Sequence, residues 1–358
     1  MHSAALHLGL QGLLSRLAGV LRAHRWLLAV IFAYFAAGLA AFAYIDRPER
    51  MTFSLYSFLA VRATGYYLLG FALAYPVYVM ALVRPARLVD YLVTDLRTNW
   101  LTAERLMGAL LILLLLPRFI SVFTSFKTLI PIVNPYSWDP AFAEWDRMLH
   151  GGVQPWEWLQ PLLGYPWVTS GINFFYNLWI FVLYGILVWQ AFSLRDPRLR
   201  MQFFLTFVLV WSLLGNLAAT LLASAGPVYF GRITGLEDSF APLVDYLHAA
   251  NEIAPVWSLD LHEWLWRSHI LGAYDFGTGI SAMPSIHVAA ATLFALLGWR
   301  VHRVLGIVLT VFAALILLGS VHLAWHYAID GYLSILLTWL LWRAAGWWVA
   351  RDKALAPG

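Results

Sequence analysis

Apolar residues along the chain gather into eight long runs, at 26–44, 65–83, 106–123, 172–192, 203–223, 284–298, 305–320 and 327–347. A helix needs about 20 mostly apolar residues to cross the hydrocarbon of a bilayer. The pattern therefore predicts an all-α, polytopic membrane helical bundle of about eight transmembrane helices. Ala41-Phe42-Ala43 at the end of the first run resembles a signal-peptide cleavage site. The length of that run and the residues before it favour a retained helix instead. Two long connections, 124–171 and 224–283, are rich in tryptophan, so they are expected to pack and not to act as disordered linkers. Within the first, 156–163 reads either as an interfacial segment lying on the outer leaflet or as an ordinary packed loop.

Composition sharpens this picture. Of the 358 residues 61% are hydrophobic and 12% charged, whereas a soluble domain carries roughly 25% charged residues. Lipid must be the solvent for much of the surface. The 19 Trp suit anchoring at both bilayer interfaces. The net charge of +4 comes from arginines that flank the apolar runs, which argues against a nucleic-acid partner. There is no Cys, which excludes disulfides, thiolate metal sites and cysteine nucleophiles.

The same arginines set an orientation. With the N-terminus in the cytoplasm, 15 of the 23 basic residues fall on the cytoplasmic side, and 14 of the 19 acidic residues fall outside. Both termini are then cytoplasmic, and both long connections face the extracytoplasmic side.

Ionisable residues at membrane depth are expensive, so each is a functional candidate. Two segments stand out, and the orientation puts both at the external end. The first, Gly277-Thr-Gly-Ile-Ser-Ala-Met-Pro-Ser-Ile-His287, opens the sixth run. Pro284 suits a first helical turn. Ser285 and the free amides beside it would face an anion such as phosphate, helped by the helix dipole. His287 sits one turn inside and can give a proton to a departing oxygen. In the second segment His326 and Asp330 are four residues apart, which on a helix stacks them on one face. A carboxylate that holds one imidazole nitrogen leaves the other free as a nucleophile. His322 lies four residues earlier and could share that face. A zinc site built from His287, His322, His326 and Asp330 is the rival reading; no cofactor or metal is otherwise expected.

The Pro284-Ser285-Ile286-His287 and His326-x-x-x-Asp330 elements resemble the second and third signature motifs of the type 2 phosphatidic acid phosphatase superfamily. The resemblance implies that His326 is the nucleophile that forms a phosphohistidine, that Asp330 orients it and that His287 protonates the leaving group. It covers 105–358 as a six-helix catalytic core, with 1–104 as two added N-terminal spans and their cytoplasmic loop. Two features depart from the usual pattern. Gly319-Ser320 stands where a Ser-Arg pair is usual, and no Lys-x6-Arg-Pro motif is evident. Ala225-Gly-Pro-Val-Tyr229-Phe-Gly-Arg232 lies where that motif is expected. These departures are similar to the branch that contains fungal inositol phosphorylceramide synthase, which moves a phosphoinositol head group between lipids. Arg232, Tyr229, His322, Ser285 and Arg147 are the candidates for holding the phosphate in place of the missing Arg and Lys.

The resulting expectation is a membrane lipid phosphotransferase or phosphatase at the extracytoplasmic face, with a lipid substrate and, for transfer, a lipid acceptor such as ceramide. The alternatives are a simple lipid-phosphate hydrolase and a non-enzymatic lipid or proton transporter. Against the transporter, no inverted repeat or paired broken helices are evident. Reporter fusions placed after Phe192 or after Arg300 should report the cytoplasm, and fusions within 231–275 the outside; the opposite pattern would overturn the orientation.

Overall fold

The computed structural model describes residues 2–355. Among these it is helical throughout, with 79% helix and no strand. The N-terminal helices are α1 (His2–Ala23), α2 (Arg25–Tyr44), α3 (Ser57–Tyr78), α4 (Leu88–Asp95) and α5 (Ala103–Val133). Next come α6 (Asp139–Leu149), α7 (Pro155–Leu163), α8 (Pro166–Phe192) and α9 (Pro197–Leu209). A π-helical stretch, Val210–Ala218, carries α9 on into the short α10 (Ala219–Leu221). The second long connection holds α11 (Phe230–Thr234), α12 (Ala241–Asn251) and α13 (Ser258–Ile270). The chain ends with α14 (Ile286–Val301), α15 (Arg303–His322) and α16 (Ala328–Ala350).

Seven helices among the described residues are long and apolar enough to cross a membrane. The expected sixth run is not among them. It forms α14, whose 16 residues extend only about 24 Å at 1.5 Å per residue, short of a hydrocarbon core about 30 Å thick. Most of its side chains are buried, Ala289, Ala290, Ala291, Leu293 and Phe294 completely. It is apolar because protein surrounds it, against α9, α15 and α16.

The third run also differs from its expectation. Helix α5 continues ten residues past Phe123, so the first long connection begins only after Val133. The Ser and Thr residues that interrupt the apolar run are paired inside the protein. Thr124 donates to the Tyr56 hydroxyl (3.1 Å), Ser125 to the Ser121 carbonyl (3.1 Å) and Thr128 to the Ser125 carbonyl (2.8 Å). Back-bonding of this kind lets Ser and Thr sit within a membrane helix. The stretch at 156–163 is the short helix α7, whose Trp158 and Leu162 are exposed.

At the other end, buried Arg200 ties the start of α9 to the N-terminal part of the chain. It reaches the His24 ring (2.7 Å) and the carbonyls of Gln190 (2.8 Å) and Ala191 (3.0 Å). The α14–α15 pair is the tightest crossing in the core and depends on two glycines. A Cβ on Gly298 would lie 3.0 Å from the Leu305 carbonyl, and one on Gly306 would lie 2.5 Å from the Trp299 ring. Small residues allow this close approach where lipid supplies no hydrophobic drive between helices. Gly306→Leu should therefore overpack the crossing and cost about 1–3 kcal/mol, read as a lower unfolding temperature in detergent; an unchanged temperature would contradict the tight crossing.

Candidate active site

The site is organised by α6, in the first long connection. Asp139 and Asp146 are seven residues apart on this helix, two turns, so they share one face. The Asp139 carboxylate accepts the amides of Ala225 (2.9 Å) and Gly226 (2.8 Å) and the Tyr327 hydroxyl (2.9 Å). Asp146 accepts the amides of Ala328 (2.6 Å) and Ile329 (3.0 Å), the first two of α16. Burial pushes both carboxyls up from their ordinary range, and the amides they bind pull in the opposite direction by favouring the ionised form. The turn at 225–226 needs its glycine. Gly226 has a φ of +101°, and a Cβ there would lie 2.7 Å from the Trp325 carbonyl.

His326 lies in the turn between α15 and α16 and not on a helix. With Ala324 at a φ of +59°, the amides of Trp325 (3.0 Å) and His326 (2.9 Å) both bond the Ser320 carbonyl. The Nδ1 of His326 faces the Ala282 carbonyl (2.8 Å) and the Asp330 carboxylate (3.2 Å). Asp330 also accepts the Tyr327 amide at 3.1 Å, as the third residue of a capping box that opens α16. The four-residue spacing thus does not stack the pair on one helical face, as the sequence pattern suggested. The carboxylate reaches back across a helix start and still meets the ring. Burial holds the His326 imidazole down, to about 3, so it is neutral near pH 7. With Nδ1–H donated to the carbonyl and carboxylate, Nε2 carries the lone pair and has no protein partner.

His287 is the second residue of α14. Its ring stacks on Tyr176 (5.0 Å between centroids) and leans on Trp179 (4.3 Å). The His326 ring is 6.2 Å away. Ser285 is the N-cap and accepts the Val288 amide (3.4 Å), so it stabilises its own helix. Pro284 precedes that cap and is not in the first turn. The amides of Ile286 and His287 beyond the cap make no backbone bond.

Both imidazoles line a cavity of about 740 Å³. It runs from Lys127 and Tyr229 down between α3, α5 and α8 as far as Ile112 and Val188. Along α5 this is about 22 Å at 1.5 Å per residue, and its walls are mostly apolar and aromatic.

The other candidates from the sequence are scattered. His322 ends α15 and bonds Thr169 through Nε2 (2.9 Å), outside the cavity wall. Arg232 is exposed, paired with Glu263 (3.4 Å) and lying over Trp266. Arg147 is exposed and paired with Glu144 (2.7 Å). Tyr229 does reach the wall, but its hydroxyl donates to the His262 carbonyl (2.8 Å). The four ligands of the zinc alternative are not gathered: among the described residues no three His, Asp, Glu or Cys side chains form a metal-holding group.

Lys127 is the residue that the sequence pattern missed. It lies on the cavity wall with the two imidazoles, and no ion pair among the described residues includes it. Its stem passes Gly279, where a Cβ would come within 3.0 Å of it. The available signal was a single lysine inside the apolar stretch Phe126–Val133, where a charge is expensive.

The sequence profile of the PAP2 superfamily matches residues 140–344. This is more than half of the chain, and the protein belongs to that superfamily. No curated protein matches it, and no solved structure does. The matched region begins within α6 and holds both imidazoles; Lys127 lies ahead of it.

The Asp146 carboxylate is bonded to both first amides of α16, and a hydrogen bond to a charged group is worth about 1.5–3 kcal/mol. Asp146→Ala should lower the unfolding temperature clearly, with Asp146→Asn intermediate because one acceptor oxygen remains. Equal temperatures for all three proteins would show that the cap contributes nothing.

Proposed function

We propose that this PAP2-superfamily protein cleaves a phosphate ester of a membrane lipid through a phosphohistidine on His326. The observation that carries the proposal is the His326 imidazole. It is neutral, tethered at Nδ1 by a carbonyl and a carboxylate, and unpartnered at Nε2 on the wall of a long apolar cavity. An orienting partner on one nitrogen is what makes the other a nucleophile.

The Nε2 lone pair forms the N–P bond as the P–O bond to the leaving group breaks. The leaving oxygen takes a proton from His287. In the second half-reaction His287 takes a proton from the incoming hydroxyl, whose oxygen attacks phosphorus, and the N–P bond breaks to restore His326. The Nδ1 proton stays with the Ala282 carbonyl and Asp330 throughout. Lys127 offsets the charge on the non-bridging oxygens, with the free amides at the start of α14 beside it. This lysine takes the place of the Arg and Lys absent from the usual motifs. The apolar cavity below suits the hydrocarbon chain of the substrate.

Hydrolysis and transfer share the first half-reaction, and the second is open to water or to a lipid hydroxyl. Transfer of a head group to a lipid acceptor, as in the inositol phosphorylceramide synthase branch, is the reading that the missing third-motif Arg supports. The basic flanks of the spans support an extracytoplasmic site.

His326→Ala should abolish labelled enzyme with every substrate. Asp330→Asn should lower the rate steeply, since loss of the orienting carboxylate cost roughly 10⁴-fold in the serine-protease triad. His287→Ala should lose about 10²–10⁴-fold with a natural lipid yet still form phosphohistidine, and release one burst of p-nitrophenol, with a lipid-like p-nitrophenyl phosphodiester that needs no acid, while the second half-reaction stays slow. Labelling that survives in His326→Ala and vanishes in His287→Ala would reverse the two roles.

A further inference from the structure

A second cavity, of about 990 Å³, lies at the opposite end of the same three helices. The two adjoin at Val188, which lines both, close to where α3 meets α8. Here the Tyr67 hydroxyl bonds the Phe181 carbonyl, and the Tyr67 ring packs so closely on Gly185 that a Cβ there would lie 3.1 Å from it. Helix α3 is the least buried of the spans, with only 6% of its apolar stretch covered. The cleft has apolar and aromatic walls, among them Leu68, Phe71, Leu92 and Trp189. In a bilayer such a space does not stay empty, because unfilled apolar walls forfeit their dispersion contacts.

The rim of the cleft has a definite charge. Arg105, Arg195 and Arg300 line it, against two carboxylates, Asp196 on the wall and Asp95 beside Arg105. Asp196 is already engaged as the N-cap of α9, accepting the Leu199 amide at 2.9 Å. Arg105 lies over the Trp100 ring (4.8 Å), and its Nε is buried with no partner. Trp100 is in turn fixed by Asp95, which accepts its indole N–H at 3.0 Å. An arginine fork held on an aromatic face, with an unsatisfied donor at the mouth of an apolar cleft, is suited to a phosphodiester.

We propose that this cleft is a binding site for an anionic phospholipid, with its phosphate among Arg105, Arg195 and Arg300 and a chain running along α3 towards Tyr67. The ligand is a structural or regulatory lipid of the leaflet opposite the imidazoles and not the substrate, since neither His287 nor His326 lines the cleft. The site stands apart from the reaction proposed for His326.

Its test is lipid retention by the full-length protein, purified in detergent and titrated with phosphatidylglycerol or phosphatidylcholine of matched chains under native mass spectrometry. Wild-type protein should hold one phosphatidylglycerol in preference to phosphatidylcholine. Charge near a membrane surface is worth about 1 kcal/mol per Arg, so R105Q/R195Q/R300Q should bind phosphatidylglycerol about a hundredfold more weakly. The lysine triple variant should recover much of that loss. Ala72→Trp fills the cleft while leaving every charge in place, and it should displace the lipid as effectively. Phosphatidylglycerol held no tighter than phosphatidylcholine, or held equally by the glutamine variant, would overturn the proposal. So would ready displacement by glycerol phosphate together with full binding in Ala72→Trp, because the site would then read a free phosphate and not a lipid.

Discussion

Buried backbone amides around the two imidazoles have no water to turn to, and two carboxylates on one short helix take up four of them. Asp139 closes the turn at Ala225–Gly226, and Asp146 closes the start of α16. Everything chemical hangs from these two points. The turn at 225–226 packs on the Trp325 carbonyl, the neighbour of His326. The start of α16 carries Asp330, and Tyr327 links the two by donating its hydroxyl to Asp139. An unpaired amide in an apolar setting costs several kcal/mol, so these contacts leave the His326 turn little freedom. The imidazole is placed by the backbone, and the backbone is placed by α6.

Much of this was legible in the sequence, and for identifiable reasons. Hydropathy found the spans because lipid leaves no other structure available to a long apolar run. His287, His326 and Asp330 were legible because charge at membrane depth is rare. Where the pattern was misread, tertiary structure had replaced lipid as the surrounding medium. Helix α5 outran its expected end because its Ser and Thr side chains find partners inside the protein. Lys127 was hidden by that misreading, since a helix thought to end at Phe123 leaves residue 127 in a loop. The carboxylates of α6 gave no signal of any kind: an Asp that accepts amides from a distant turn looks, in sequence, like an Asp in solvent.

Membership of the PAP2 superfamily and the placement of Lys127 bear on one another. The superfamily profile begins at residue 140, so the lysine on the cavity wall comes from a helix outside the matched region. The lysine stem fits only because Gly279, at a φ of +93°, presents no side chain. One glycine in the Gly277–His287 segment thus serves a residue 152 positions earlier in the chain.

The long cavity beneath the imidazoles is bounded on one side by α3, whose outer surface is almost wholly uncovered. A lipid that reaches His326 along this wall arrives by diffusion within the plane of the leaflet. For such an enzyme the quantity that governs turnover is the mole fraction of substrate among its neighbouring lipids, and bulk concentration has no direct meaning. Diluting the substrate with inert lipid would slow the reaction even when the total amount is constant. A membrane rich in other single-headed lipids would likewise act as a competitor simply by occupying the same wall.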